Sequence, residues 1–311
     1  MNILLGCNHL HEIGGSEQFN YTLAKAFINS GVNVYVMLGN HTLKGLMSAE
    51  MKKDLGIEVD LIPRNLNFDA VFLSHNSTVS RFHKEIFSRE DLTFNKDNIF
   101  QICHGKFHSV ERPQFWLDLQ YLCISEEIGN YVRGIVGENR DIFIIKNPID
   151  TYKFHFTEIN EIPRKIYSLS QSEKMNVLLK NICDDLGIAF DYNNKHENPT
   201  NNVIDKMFDA DIVVSLGRGC YEAMSMGKNV IIADYRDYMN EGLMDGMIDN
   251  YNFDDFLKNN CSGRFSNIKV DKVKIIKEIQ KYSKEQGFKN REIAESYFNS
   301  NEIVKLLKSI L

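Results

Sequence analysis

Glycine turns placed before helical patterns are the features of this sequence that could do chemistry. Gly14 and Gly15 precede a helical pattern that begins with Ser16 and Glu17. Glycine lets the backbone approach a ligand closely, and the amides at a helix N-terminus attract an anion such as a phosphate. An ordinary turn, with Ser16 capping the helix and Glu17 facing its dipole, fits the same residues. The pattern leaves both interpretations open.

A second glycine turn lies in the C-terminal half, between two apolar runs. Gly217 and Gly219 flank Arg218, and Glu222 follows one helical turn later. A glycine turn that leads from a parallel strand into a helix places amides at the carboxyl edge of the sheet, where ligands of such folds bind. A carboxylate there can accept hydrogen bonds from both hydroxyls of a ribose. The alternative for Glu222 is a surface carboxylate that faces the helix dipole.

Histidines raise the question of a metal site. By count alone, His9, His11, His104 and His108 could form a ligand set. No carboxylate or cysteine at metal-ligand spacing supports such a set. We therefore predict no metal site. For His104 the simpler alternative is a hydrogen-bonded polar group that ends a strand.

Length and charge limit the classes of protein that fit. A chain of 311 residues, with 43% hydrophobic and 25% charged residues, can fill the cores of two ordinary domains. The net charge of −6 provides no global basic field, so nucleic acid is not expected as a main partner. Nothing in the composition indicates an oligomeric state.

The cysteines and the apolar runs bear on the compartment. The six cysteines are scattered, without a Cys-x-x-Cys pair, and are expected to be reduced and mostly buried. No run of about 18 apolar residues and no signal-peptide pattern occurs. We expect a cytoplasmic protein, at most peripheral to a membrane. Basic residues at 52–53 and 81–84 could face a membrane or an acceptor, or simply form solvated helix faces.

Alternating apolar runs and helical patterns predict strand–helix–strand units with mostly parallel sheets. In the first half, the helix after Gly15 carries Phe19, Leu23 and Phe27 on one face, and another helix covers 126–136. Strands are predicted there at 2–7, 32–38, 57–62, 68–74, 99–104, 121–124 and 142–146. Strands in the second half are predicted at 165–169, 188–192, 212–215 and 230–233, which indicates a smaller sheet.

The predicted domain boundary lies near Asp150, because Asn147 and Pro148 break the chain. We predict an N-terminal Rossmann-like domain at 1–150 and a C-terminal one at 151–290. The helical, charged tail at 291–311 is predicted to pack back on the first domain.

Several segments resemble the family-4 glycosyltransferases of GT-B fold, in the order that this family has them. Segment 14–17 resembles the family's N-terminal glycine loop. Segment 144–150, with Phe154, resembles the end of the family's first domain, and segment 222–231 resembles its donor-site helix. Segments 69–75, 104–105 and 123–127 are weaker matches. The resemblance implies an α/β protein in which two Rossmann-like domains face each other across a cleft. It implies that domain 1–150 lies on the acceptor side and that domain 151–290 binds the nucleotide-sugar donor.

For function, the resemblance implies a retaining, metal-independent transfer from a UDP- or GDP-sugar to a glycan, lipid or other acceptor. No cofactor beyond this nucleotide-sugar substrate is expected. If the family's residue roles carry over to the matching positions, Gly15 would approach the donor phosphates or the acceptor. His104 would lie beside the transferred sugar, and Glu222 would bind the ribose. The nucleotide-sugar residues are then Gly14, Gly15, Gly217, Gly219 and Glu222, and the catalytic ones His104, Arg218 and Lys174.

The sequence also departs from the family pattern. Val214 stands eight residues before Glu222, where the family has a glutamate that contacts the sugar. Gln171 occupies the place of an arginine that holds the diphosphate, while Lys174 keeps the place of a lysine. Arg218 is predicted to supply the missing cation, because a guanidinium matches phosphate geometry.

These departures keep other interpretations open. Lys174 fits a solvated helix-start lysine, and Arg218 a surface loop charge. The absence of the family's first glutamate and of its arginine also fits a non-catalytic GT-B protein that binds a glycan or a partner. A nucleotide-sugar epimerase or hydrolase on the same plan is a further alternative, since fold does not fix the reaction.

Overall fold

Two six-stranded sheets organise the chain, one in each of two units. The computed structural model describes residues 1–194, 203–236 and 241–311. The first unit consists of Met1–Pro148 and Ser300–Leu311, and the second of Ile149–Asn299. Each unit has its own sheet and hydrophobic core.

The sheet of the first unit is entirely parallel, in the order β2-β1-β4-β6-β7-β8. Its order reverses between β1 and β4, which places a switch point at the carboxyl ends of these two strands. A small parallel pair, β3 and β5, lies outside it. The strands are β1 (Asn2–Cys7), β2 (Asn33–Leu38), β3 (Leu66–Phe68), β4 (Ala70–Ser74), β5 (Leu92–Phe94), β6 (Ile99–Cys103), β7 (Gln120–Cys123) and β8 (Ile142–Ile144).

Four α-helices and a π-helical turn belong to this part of the chain. As predicted, α1 buries Phe19, Leu23 and Phe27 in the core. These elements are α1 (Gly15–Asn29), α2 (Leu46–Leu55), α3 (Asn76–Arg81), the π-helical turn Phe82–Ile86 and α4 (Glu126–Val136).

The second unit has the sheet order β10-β9-β11-β12-β13-β14. Its first four strands are parallel, and β13 and β14 continue it antiparallel. The switch point lies between β9 and β11. The elements are β9 (Lys165–Ser168), α5 (Glu173–Leu186), β10 (Ala189–Tyr192), α6 (Val203–Phe208), β11 (Ile212–Ser215), α7 (Arg218–Ser225), β12 (Asn229–Asp234), β13 (Leu243–Met247), α8 (Phe253–Lys258), β14 (Ile268–Lys269), α9 (Lys272–Ile279) and α10 (Lys284–Phe298).

Helix α7 is fixed by aromatic packing. Tyr221 is fully buried and stacks on Phe298 of α10, with ring centroids 3.9 Å apart. The Tyr221 hydroxyl also donates to Asn260 Oδ1 at 2.9 Å. Because α10 runs without a break to Phe298, the second unit extends to Asn299 rather than ending near residue 290. The last helix, α11 (Ser300–Ser309), packs on α1 in the first unit.

Two predictions about strands were wrong. Segment 57–62 forms no strand. It runs beside β2, the edge strand of the sheet, and contacts it through Asp60. The Asp60 amide donates to Val36, its carboxylate accepts from the Leu38 amide, and Arg81 pairs with it at 2.7 Å. The second sheet is also not the smaller one. Its strand β13 contains Asp245 and Gly246, which interrupt the apolar pattern.

The cysteines and the helices also bear on expectations from the sequence. All six cysteines are free and buried, as predicted. None of the helices within 1–194, 203–236 and 241–311 combines the length and apolar character needed to span a membrane.

The packing of α7 makes a testable prediction. Phe298→Ala should lower the free energy of unfolding by about 3 to 5 kcal/mol, because it leaves a cavity against Tyr221. Phe288→Ala on the same helix is the matched control, since Phe288 is 46% exposed and stacks only at the surface on Phe156, and its loss should cost clearly less, about 1 kcal/mol. Urea unfolding of both variants checks this, and equal losses would contradict the role given to Phe298.

Candidate functional site

Polar residues of the first unit meet at the switch point between β1 and β4. His9 follows β1, and His75 follows β4. Asn20 on α1 connects the start of this helix to the end of β4, because its Nδ2 donates to Ser74 Oγ at 3.1 Å and to the Ser16 carbonyl at 2.9 Å. The glycine turn, the first helix and the end of β4 therefore form one contiguous polar cluster.

Gly14 and Gly15 have different surroundings in this cluster. Gly14 is the N-cap of α1, and a Cβ on it would overlap Oε2 of Glu17. Gly15 is exposed, and a Cβ on it would have no heavy atom within 4 Å. Gly14 thus makes room for a side chain of the protein, whereas Gly15 leaves its surface open.

The Glu17 carboxylate lies at the N-terminus of α1 and is almost completely buried, with 3% of the residue exposed. Its Oε1 accepts a hydrogen bond from Ser16 Oγ at 3.0 Å and lies 3.5 Å from His9 Nε2. Ser16 therefore does not cap the helix. Glu17 faces the helix dipole, as the simpler interpretation of the turn expects.

His104 lies in the same cluster, at the end of β6. Its Nε2 is 3.1 Å from Ser74 Oγ, and its ring meets Phe19 edge-on at 4.7 Å. Its backbone amide donates to Glu111 Oε2 at 3.1 Å, and Glu111 Oε1 lies 3.5 Å from His75 Nε2. One carboxylate thus connects two histidines.

The ionisation of Glu111 is controlled by these neighbours. Burial opposes its charged form, but the hydrogen bond from His75 and the charges of His104 and His75 outweigh burial and lower its pKa from 4.5 to about 2. Glu111 is therefore a carboxylate at neutral pH. Glu111 ends a short 3₁₀ turn, Ser109–Glu111, which has no periodic pattern by which its sequence could predict a site. Its position seven residues after His104 is the only signal.

Three buried side-chain atoms of the cluster have no hydrogen-bond partner among the described residues. They are Nδ1 of His9, Oδ1 of Asn20 and Nδ1 of His75. Such atoms normally find a partner when buried, because leaving them unpaired costs free energy. Their grouping marks this edge of the first sheet as a candidate ligand site.

In the second unit, the turn between β11 and α7 requires both of its glycines. Gly217 has a φ of +55°, in the left-handed region that favours glycine, and its amide donates to the Cys261 carbonyl at 2.9 Å. A Cβ on Gly219 would overlap Ser215 Oγ and lie 2.9 Å from Leu169. The turn is held closely against the carboxyl ends of the sheet.

Arg218 and Glu222 are brought together in the first turn of α7. Arg218 Nε donates to Glu222 Oε1 at 2.7 Å, and the two side chains are only 10% and 14% exposed. A carboxylate and a guanidinium therefore lie side by side at the carboxyl edge of the second sheet, next to its switch point. Val214 is buried within β11.

The residues after β9 face the same edge. Lys174, in the first turn of α5, lies exposed with its Nζ 4.2 Å from the centre of the Tyr235 ring, a cation–π geometry. Gln171 donates to the carbonyls of Leu169 and Asn193 at 3.1 and 3.2 Å. Gln171 thus binds backbone groups of its own unit.

The end of β12 adds a charged pair that sequence analysis missed. Asp234 accepts a hydrogen bond from Ser170 Oγ, which connects the ends of β12 and β9. Arg236 Nε lies 2.7 Å from Asp234 Oδ2. Arg236 is therefore a further cation at the edge that holds Arg218.

No candidate metal centre is found within the described ranges, where no three His, Cys, Asp or Glu residues group as a metal site would require. The set His9, His11, His104 and His108 forms no such group.

Comparisons with known proteins place the fold. No protein-family model matches the chain, and no curated protein gives a significant match. Solved structures do match it over its full length. HepE from Anabaena with UDP and glucose has a TM-score of 0.61 at 12% identity, covering 99% of this chain and 100% of its own.

Two further structures agree. A glycosyltransferase from Rickettsia africae ESF-5 has a TM-score of 0.58 at 12% identity, covering 99% of this chain and 98% of its own. Sucrose-phosphate synthase from Thermosynechococcus elongatus has 0.57 at 10% identity, with the same two coverages. This chain therefore has the predicted GT-B fold of glycosyltransferases, with a Rossmann-like domain in each unit.

Proposed function

We propose that this protein is a glycosyltransferase that moves a sugar from a UDP- or GDP-linked donor to an acceptor. The observation that carries this proposal is the Arg218–Glu222 ion pair, largely shielded from solvent, in the first turn of α7 at the second switch point. A diphosphate is bound by cations and backbone amides, and a carboxylate can accept hydrogen bonds from the hydroxyls of a ribose. The full-length similarity to HepE, whose structure contains UDP and glucose, supports the same assignment. A UDP-sugar is therefore the first donor to test.

On the donor side, we assign the diphosphate to Arg218 and to the N-terminus of α7 at Arg218 and Gly219, while Gly217 shapes the turn that brings this N-terminus to the ligand. The guanidinium and the helix N-terminus both favour the negative charge that grows on the leaving group. Lys174 would add a second cation. Glu222 would accept hydrogen bonds from the ribose hydroxyls.

On the sugar side, we assign His104 to the transferred sugar. Glu111 and Ser74 orient it, since they lie at hydrogen-bond distance from its amide and its ring. The proposed step forms a bond from an acceptor oxygen to the anomeric carbon and breaks the bond from that carbon to the diphosphate. The electron pair stays on the diphosphate, which takes the acceptor's proton. Retention of configuration follows from the family resemblance alone.

Gly14 and Gly15 receive separate roles in this proposal. Gly15 borders the ligand, because its surface is open. Gly14 acts indirectly, by making room for Glu17. The acceptor is a glycan, a lipid-linked molecule or another hydroxyl compound. The free thiols support a cytoplasmic site of action, and peripheral contact with a membrane fits the same proposal.

The ribose assignment is tested by Glu222→Ala. Loss of a charge-assisted hydrogen bond should weaken UDP binding by about 2 kcal/mol or more, which is roughly 30-fold in Kd. Isothermal titration calorimetry measures it.

The matched control is Asp184→Ala, which removes the carboxylate of the exposed i,i+4 pair with Lys180 in the same unit. Unchanged UDP affinity in Glu222→Ala would reject the ribose site. Tight UDP binding by the wild type without turnover of any donor, with or without acceptors, would instead favour a non-catalytic protein. Epimerised or hydrolysed donor would favour a nucleotide-sugar epimerase or hydrolase.

The assignment of His104 is tested through Glu111→Gln. Turnover should fall about tenfold or more while UDP affinity stays unchanged, because His104 loses a charged hydrogen-bond acceptor. Steady-state kinetics and calorimetry separate the two effects. Glu90→Gln, at an exposed carboxylate, is the control.

The same variant has a pH signature. Because the pKa of Glu111 is lowered from 4.5 to about 2, its contribution to stability is present above pH 4.5 and is lost as pH falls towards 2. The wild type should therefore exceed Glu111→Gln in free energy of unfolding near neutral pH, with a difference that shrinks below pH 4.5. Urea titrations across this range measure it, and a pH-independent difference would contradict the pairing.

The proposed transfer uses Arg218 and Lys174 as its cations and no metal ion. Prolonged treatment with EDTA should therefore leave kcat within about twofold, since no divalent ion neutralises the leaving group in this scheme. Added Mg²⁺ or Mn²⁺ that restores a lost activity would overturn this part of the proposal.

A further inference from the structure

A cavity of the first unit lies away from the candidate site. It has a volume of about 240 Å³ and lies at the amino ends of β6 and β7, because Ile99 begins β6 and Leu119 directly precedes β7. His104 follows the opposite end of β6. A strand rises about 3.3 Å per residue, so the two ends of β6 lie about 13 Å apart. The cavity is therefore separate from the polar cluster at the carboxyl edge.

The π-helical turn Phe82–Ile86 builds one wall of this cavity. The Phe87 amide donates to the Phe82 carbonyl at 2.8 Å, five residues back along the chain. This wide turn brings the two phenylalanines to the same cavity, with their ring centroids 5.6 Å apart. Turns of this type are rare and frequently lie at functional sites. Here the turn supplies two aromatic rings to a cavity.

His83 and Trp116 continue the aromatic wall towards solvent. His83 lines the cavity, and its ring meets that of Trp116 edge-on at 5.2 Å. Trp116 is 49% exposed, and its Nε1 donates to Gln114 Oε1, which holds the indole in place. A bound molecule would cover apolar surface that this wall leaves in contact with water.

The charges at the rim of the cavity balance one another. Lys96 and Asp97 both line it, and Asp118 pairs with Arg140. A ligand with a net charge of either sign therefore gains little from this rim. Among the residues that the structure describes, only the backbone of Asp97 is hydrogen-bonded, so its exposed carboxylate can accept a hydrogen bond from a ligand.

The size of the cavity limits the ligands that fit. An apolar cavity of about 150 Å³ can hold one benzene ring. At about 240 Å³, this cavity has room for two fused rings. A flat ring system also suits its walls, because aromatic rings pack favourably edge-on or with an offset. The aliphatic side chains of Ile99, Leu117 and Leu119 complete the apolar lining.

We propose that this cavity is a ligand site of its own, which binds an uncharged, planar molecule of two fused rings with an N–H group. Indole is the simplest molecule of this class. Its rings pack against Phe82, Phe87 and Leu117, and its N–H donates to Asp97. The site does not depend on the proposed transferase function, because every lining residue belongs to the first unit and none is assigned to the donor or to the transferred sugar.

The single tryptophan of the chain provides a direct test. Its side-chain Nε1–H gives one signal in the NMR spectrum of the isotope-labelled full chain. Unlabelled indole should shift this signal, with saturation at one indole per chain and a Kd below about 1 mM, as expected for a small ligand that fills an apolar cavity. A signal that stays in place at several millimolar indole overturns the proposal.

Leu117→Trp tests the location of the site. The new indole side chain would occupy the cavity and should weaken the binding of free indole about tenfold or more in calorimetry. Leu306→Trp places the same side chain at a position of α11 that is 49% exposed, and should bind indole as the wild type does. Wild-type affinity for indole in Leu117→Trp overturns the proposal.

Asp97→Ala keeps the proposal testable if Leu117→Trp does not fold. The Asp97 side chain is exposed, so its removal should leave the fold intact. Indole should bind about threefold more weakly or worse, because the ligand loses a hydrogen-bond acceptor. An unchanged Kd for indole in this variant contradicts the assigned N–H contact.

Calorimetry with UDP separates this inference from the proposed function. Saturating UDP should leave the Kd of indole unchanged, because the residues assigned to the nucleotide belong to the second unit. Competition between UDP and indole would place indole in the donor site and overturn the proposal. Wild-type protein that binds indole but not UDP would support the cavity and contradict the donor assignment alone.

Discussion

Buried carboxylates beside the sheet edges impose the constraint on which the candidate site depends. A carboxylate removed from water keeps its charge only when nearby groups stabilise it. Four carboxylates of the candidate site, buried or partly buried, each have a histidine or arginine nitrogen within 3.5 Å. The pairs are Glu17 with His9, Glu111 with His75, Glu222 with Arg218 and Asp234 with Arg236.

Pairing of this kind makes the site residues interdependent. Arg218 and Glu222 share one hydrogen bond, so a substitution at either residue changes the charge and orientation of the other. Glu111 likewise acts on His104 and His75 together. Glu222→Ala therefore removes the proposed ribose ligand and also releases Arg218, so both changes contribute to the expected loss of UDP affinity.

Sequence predicted the features that rest on local pattern. The strands β1, β4 and β11 are continuous apolar runs, and the glycine turns after β1 and β11 follow from residue type. The pattern did not predict β13, whose Asp245 is buried by contacts with a loop 21 residues away. It also did not predict Asp60, which completes the edge of β2 through its side chain.

The site residues also fall into those that the sequence identified and those that only the structure reveals. The identity of Arg218 and Glu222 as site candidates came from sequence, but their mutual ion pair depends on where α7 begins. Glu111 depends on a loop that brings it back to β6 and His75, which no periodic pattern signals. Long-range side-chain contacts of this type are what sequence pattern leaves undetermined.

The two glycine turns look alike in sequence and differ in charge. The turn of the second unit is followed directly by Arg218, so a cation accompanies its helix N-terminus. The turn of the first unit is followed by Glu17, whose carboxylate faces the helix N-terminus and opposes any further anion. The glycines allow both turns to form, and the charged residues beside them, Glu17 and Arg218, give the two helix N-termini opposite charged neighbours.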